Sequence, residues 1–118
     1  MSERAEDVKN FWNGGALNTE SNVQFGEGVA GTFSDGKLTT GIKDPRIHKV
    51  LSEFVSAGAP EEILYKNKPH IGTDLLRDVV ANIREEIIRL GGEIRFSSKL
   101  VGIDAPSGKI KAIKAEDV

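Results

Sequence analysis

From Asp44 onward the apolar residues recur with helical spacing. Ile47, Val50, Leu51, Phe54 and Val55 fall at i, i+3, i+4, i+7 and i+8, which sets them on one face of an α-helix. Asp44 suits the N-cap and Pro45 the first helical position, where its missing N–H costs nothing. Gly58 suits the stop. "APEEILY" allows one short turn with Ile63 and Leu64 tucked inward, and "KNKPH" then breaks the pattern. The strongest element is "LLRDVVANIREEIIRLGG". Leu76, Val79, Val80, Ile83, Ile87 and Leu90 form its expected buried stripe, widened by Leu75 and Ile88. Thr73 or Asp74 would cap it, and Gly91 and Gly92 would end it. The period then shifts to two. "EIRFSS" alternates, with Ile94 and Phe96 on one face, and reads as a strand. "LVGID" and "KIKAIKA" flank the turn "APSGK" and read as a hairpin, Leu100–Asp104 with Ile110–Ala115.

The first forty residues are less regular. "ERAEDVKNFW" allows a short helix with Val8, Phe11 and Trp12 on one face, closed by "NGG" at residues 13–15. Trp12 reads as a core or docking residue, with stacking on a ring ligand as the alternative. Residues 24–41 carry five glycines, Gly26, Gly28, Gly31, Gly36 and Gly41. An ordered loop of that length is uncommon inside a compact domain. "SDGK" within it reads as a tight turn. The expected class is therefore α/β or α+β, helices on a small sheet with a C-terminal hairpin. Its two parts are residues 1–43, a short helix and a glycine-rich loop expected to be poorly ordered when the segment stands alone, and residues 44–118, a helix–helix–strand–hairpin body.

Composition narrows the chemistry. The 118 residues suit one core. With 16 Lys and Arg against 18 Asp and Glu, the formal charge is −2, so no basic footprint for nucleic acid is expected. The absence of cysteine removes disulfides, thiolate catalysis and sulfur-ligated metals from this chain. The N-terminal residues are charged and no apolar run is long enough to span a bilayer, so no membrane partner and a cytoplasmic location are expected.

Candidate chemistry concentrates in two polar segments. His48 and His70 are the two histidines and fall in different elements, without HExxH spacing, so no metal site is expected. No GxSxG motif surrounds a serine, and the catalytic residues stay unknown. "GTFSDGKL" nearly matches a phosphate-binding P-loop, but Leu38 takes the place of the magnesium-binding hydroxyl. "GEGVAG" has GxGxxG spacing, yet "TFSDGKLTTG" is not the helix such a motif opens. The residue types then leave two readings for the loop. One is a mobile surface connection. The other is a polar cradle whose backbone N–H groups, with Thr32, Ser34 and Lys37, line an anionic ligand. "KPHIGTD" sets His70, Gly72 and Thr73 at the mouth of the long helix, where either ordinary capping or anion attraction fits.

Taken together, "NVQFGEGVAGTFSDGKL", "GAPEEILYKNKPHIGTDLL" and "GGEIRFSSKLVGI" resemble a family of bacterial FAD-dependent dehydrogenase-like proteins, similar in layout to the two-dinucleotide-binding flavoproteins. The resemblance runs from about Arg4 to Ile113. It implies an internal segment of a longer FAD-dependent oxidoreductase, lacking the family's N-terminal dinucleotide fingerprint and inactive alone. FAD would be the cofactor of the full-length protein and the remainder of that flavoprotein the partner, with an unknown small-molecule substrate. The resemblance further implies that Gly26, Glu27, Gly28, Gly31, Thr32, Phe33, Ser34, Asp35, Gly36 and Lys37 run past the pyrophosphate, ribityl chain and flavin. Leu100 matches a position whose backbone contacts adenine, and His70 and Thr73 a segment on the substrate side. Val29 stands where the family carries glycine. The alternative is a free-standing small α/β module that binds a ligand or a protein.

Overall fold

The computed structural model describes residues 2–34, 36–66 and 68–118. Among these, three α-helices precede an antiparallel hairpin: α1 (Ser2–Trp12), α2 (Arg46–Ser56), α3 (Thr73–Arg89), β1 (Ser98–Asp104) and β2 (Ala112–Asp117). Three 3-10 turns intervene, Val29–Phe33, Glu61–Leu64 and, between the strands, Pro106–Gly108. The fold is a small α+β domain. No helix among the described residues is long and apolar enough to cross a membrane.

Local chemistry sets the ends of the helices. The Asp44 carboxylate accepts the backbone N–H of Arg46 at 2.9 Å and also pairs with the Arg46 guanidinium at 2.6 Å. These bonds hold its carboxyl below the usual range and satisfy one of the orphan donors at the start of α2. At the other end, Gly58 N–H bonds to Val55 O and Ala59 N–H to Phe54 O, both at 2.9 Å. Gly91 and Gly92 close α3 with the same pairing, onto Ile88 O and Ile87 O. The start of α3 departs from expectation. Gly72 is the capping residue and no side chain caps the helix; the Thr73 hydroxyl bonds instead to Ser34 O, across the fold.

The core lies between α2, the 61–64 turn and the first half of α3. Ala59, Ile63, Ile71, Leu76 and Val79 are buried, with Leu38, Leu51, Phe54, Val55, Val80 and Ile83 packed around them. The Asn82 amide donates to Ala57 O at 2.8 Å and ties α3 to the end of α2.

Three expectations for the C-terminal half need correction. Residues 93–97 form no strand: Ser97 has φ 48, which turns the chain out of the extended region before any partner can pair with it. Phe96 lies beneath the Arg84 guanidinium instead, at 5.8 Å. The hairpin forms and its first strand ends at Asp104 as expected, but that strand begins two residues earlier and the second strand lies two residues later at both ends, with Ser98 opposite Asp117, Leu100 opposite Ala115 and Ile103 opposite Ile113. An irregularity between Leu100 and Gly102 inserts Val101 as an extra residue. The expected stripe of α3 is buried only in its first half. Leu76 and Val79 are inside, whereas Ile87, Ile88 and Leu90 are exposed.

Candidate functional site: an arginine-clasped glycine loop

The two polar segments singled out in the sequence meet in space. Lys37 and His70 form an antiparallel bridge, Ile71 N–H donates to Gly36 O at 3.1 Å, and Leu38 N–H donates to Pro69 O at 2.9 Å. With the Thr73 hydroxyl on Ser34 O, Ser34 and residues 36–38 are stitched to residues 69–73 at the head of α3. Asp35, one of the expected site residues, lies outside the described residues. Leu100 is not part of this assembly. It stands exposed on β1, opposite Ala115.

Three arginines hold the upstream half of the loop. Arg4, on α1, donates from Nη2 to Glu27 O at 2.6 Å and to Thr32 Oγ1 at 3.3 Å. Arg77, on α3, donates from Nε and Nη2 to Thr32 O at 3.3 and 3.2 Å. Arg84, two turns further along α3, pairs with the Glu27 carboxylate at 2.8 Å. The Phe33 ring has the Arg4 guanidinium 5.1 Å and the Arg77 guanidinium 5.8 Å from its centroid, distances at which a cation is attracted to a ring face. Trp12 meets Phe33 edge-on at 6.2 Å and is otherwise largely exposed. Thr32, at the centre, is fully buried.

The loop glycines are accounted for largely by packing. A Cβ on Gly28, which has φ 75, would come within 2.2 Å of Thr32 Cγ2. On Gly26, φ 83, it would come within 2.7 Å of Arg4 Nη1. Gly31 and Gly36 lie against Leu76 Cδ2, at 3.1 and 3.3 Å from the same construction. The left-handed turn residue is Gly28, and Val29 begins the 3-10 turn after it. The faces of Gly26, Gly28, Gly31 and Gly36 thus turn onto the chain's own side chains. What the loop does offer is a buried cation. Arg4 is only 8% exposed, and its Nη1 has no hydrogen-bond partner among the described residues. Burial pushes its pKa down, and the Glu27 charge pulls it back up. It stays protonated, since guanidinium loses its proton only far above neutrality.

Sequence reasoning missed the arginines. A signal was present: Arg77 and Arg84 stand seven residues apart on α3, one face of the helix, and Arg4 precedes the buried Val8 by one turn.

No family model matches the chain. A protein of Clostridium beijerinckii, described only as an uncharacterized protein, is 61% identical to it over 113 residues. That match takes in 96% of this chain and 21% of the relative, so the chain spans about a fifth of the length of the protein it resembles.

Proposed function

We propose that residues 1–118 act as a small α+β binding module that docks onto a larger protein body through the hairpin and the second half of α3. The observation that carries this is an amphipathic hairpin whose apolar face no other described residue covers. Opposite residues in an antiparallel pair share a face, so Leu100, Ile103, Ile113 and Ala115 lie together, while Lys99, Gly102, Lys114 and Glu116 lie on the other side. Leu100, Ile103 and Ile113 are each more than half exposed. A hollow of about 900 Å³ opens beside them, bordered by Glu93, Arg95, Leu100, Val101 and Ile113. An isolated two-stranded hairpin is marginal in water, and a patch of this kind marks an interaction surface. The polypeptide surrounding the matched stretch in the Clostridium relative is large enough to supply the covering body. The test is direct. The isolated chain should bind an apolar reporter dye and self-associate as its concentration rises. Ile103→Lys combined with Ile113→Lys should suppress both without lowering the unfolding midpoint. A chain that stays monomeric and binds no dye would overturn the reading.

A second, more specific reading has one observation in its favour. The strings "GEGVAGTFSDGKL" and "KPHIGTD", whose joint presence carries the likeness to FAD-dependent dehydrogenase-like proteins, are hydrogen-bonded to each other in the fold. In that reading the larger body is the rest of a flavoprotein of the two-dinucleotide-binding layout. The loop would then border the flavin, whose redox chemistry belongs to the cofactor, while the protein supplies position and electrostatics. Because the ribose acid and dinucleotide loop of that layout are not among these residues, the purified chain should be colourless at roughly 450 nm, the band of oxidised flavin. The decisive sample is the full-length Clostridium protein. Stoichiometric FAD in it would support the flavoprotein reading, and a flavin-free, folded protein would end it.

A further inference from the structure

We infer that Arg4 is the anchoring cation of an oxyanion site, for a phosphate or carboxylate group, at the Gly26–Gly28 turn. The inference rests on the clasp and not on the docking surface, so either can fail without the other. A guanidinium presents five N–H donors in a fixed fork, and burial makes each unmet donor costly. Nη2 of Arg4 is met by Glu27 O and Thr32 Oγ1, whereas Nη1 is buried with no acceptor among the described residues. The obvious internal acceptor is withheld from it. The Glu27 carboxylate, the nearest acid to Arg4 in sequence on this loop, is drawn away to Arg84 at 2.8 Å. Arg77 spends its fork on Thr32 O. Of the three guanidinium groups on this loop, Arg84 alone is bonded to the carboxylate, and Arg4 keeps its unmet Nη1 against Gly26.

The turn at that place lies directly against the guanidinium. The position of a Gly26 Cβ is 2.7 Å from Arg4 Nη1, so any other residue there would displace the guanidinium. Gly26 and Gly28 both have φ in the left-handed region, where backbone N–H groups of successive residues can converge on an anion. A small shift of this two-glycine turn away from α1 would expose Nη1 to an oxyanion. The anion would then take the unmet donor in a charge-assisted bond, while Glu27 stays on Arg84.

The test uses the 118-residue chain with inorganic phosphate and, separately, acetate, followed by NMR of the Arg4 side-chain Nε–H and the backbone amides of residues 26–32. Saturable shifts confined to Arg4 and this turn are expected. Phosphate acting alone would identify a phosphate site, and acetate acting as well would identify a general oxyanion site. Arg4→Gln should abolish the shifts of the turn. Lys66→Gln, which removes an exposed charge paired with Glu62 on another part of the surface, should leave them unchanged. The wild-type side-chain signal decides the matter even if Arg4→Gln fails to fold. An Arg4 Nε–H unmoved by either anion, or shifts that persist in Arg4→Gln, would overturn the inference.

Discussion

Gly28 shows how much a single position in this loop is asked to do. Its φ of 75 is one that side chains with a Cβ rarely adopt, and a Cβ there would overlap Thr32 Cγ2. Thr32 cannot yield, because its backbone carbonyl is held by Arg77 and its hydroxyl lies on Arg4. Gly28→Ala should therefore cost about 1–3 kcal/mol, the usual range for a residue forced into a sparsely populated backbone region, read from urea unfolding. An unchanged midpoint would mean that the turn is free to rearrange. At this scale the sequence was only half legible. The glycines declared a special loop, but their number and polar neighbours pointed toward a ligand, whereas most of them make room for Arg4, Thr32 and Leu76. The arginines that do the holding come from α1 and α3, and no local pattern within residues 24–41 could have named them.

Among the elements, α3 carries the informative contrast. Its spacing announced one continuous apolar stripe, and the helix forms where that spacing placed it, ended by Gly91 and Gly92 as expected. Burial along it is uneven. Val79 is fully buried and Leu90 is 70% exposed, although both belong to the same stripe. Periodicity says which face of a helix is apolar but not what covers it. Two substitutions follow from this. Ile63→Ala, in the buried cluster beside α3, should destabilise the chain by about 2–5 kcal/mol. Leu90→Ala should stay within roughly 0.5 kcal/mol, as is usual for exposed positions. Equal losses at the two sites, measured by denaturant unfolding, would mean that Leu90 is packed in solution against something within the chain. The segment 93–97 marks the other limit of pattern reading. Its alternation was genuine, but a strand also needs a partner and an extended backbone, and the left-handed Ser97 supplies neither.

For the whole molecule the decisive quantity is surface. A compact protein of 12.8 kDa is expected to expose about 6,300 Å², whereas this chain exposes 8932 Å². Its radius of gyration is 16.6 Å, against about 13.5 Å for a compact domain of 118 residues. The excess of about 2,600 Å² is comparable with what one side contributes to the largest obligate interfaces. The hairpin accounts for part of it: among the described residues its strands are tied to the N-terminal half by the Lys99–Glu20 ion pair at 2.9 Å, an exposed pair of the kind that adds little stability. A sequence of ordinary composition gave no warning of this, because surface depends on which faces meet and not on how many apolar residues there are.

Hydrogen exchange tests the central claim, that the hairpin is one half of an interface. Amides of residues 98–104 and 112–117 would be followed in the isolated chain and, at the matching positions, in the full-length Clostridium protein. An uncovered hairpin opens readily and exchanges fast, and a covered one takes on the stability of the body around it. The account predicts fast exchange across the hairpin in the isolated chain, with Val79 and its neighbours in α3 slower, and strong protection of the hairpin in the longer protein. Hairpin amides that exchange equally fast in both would contradict it.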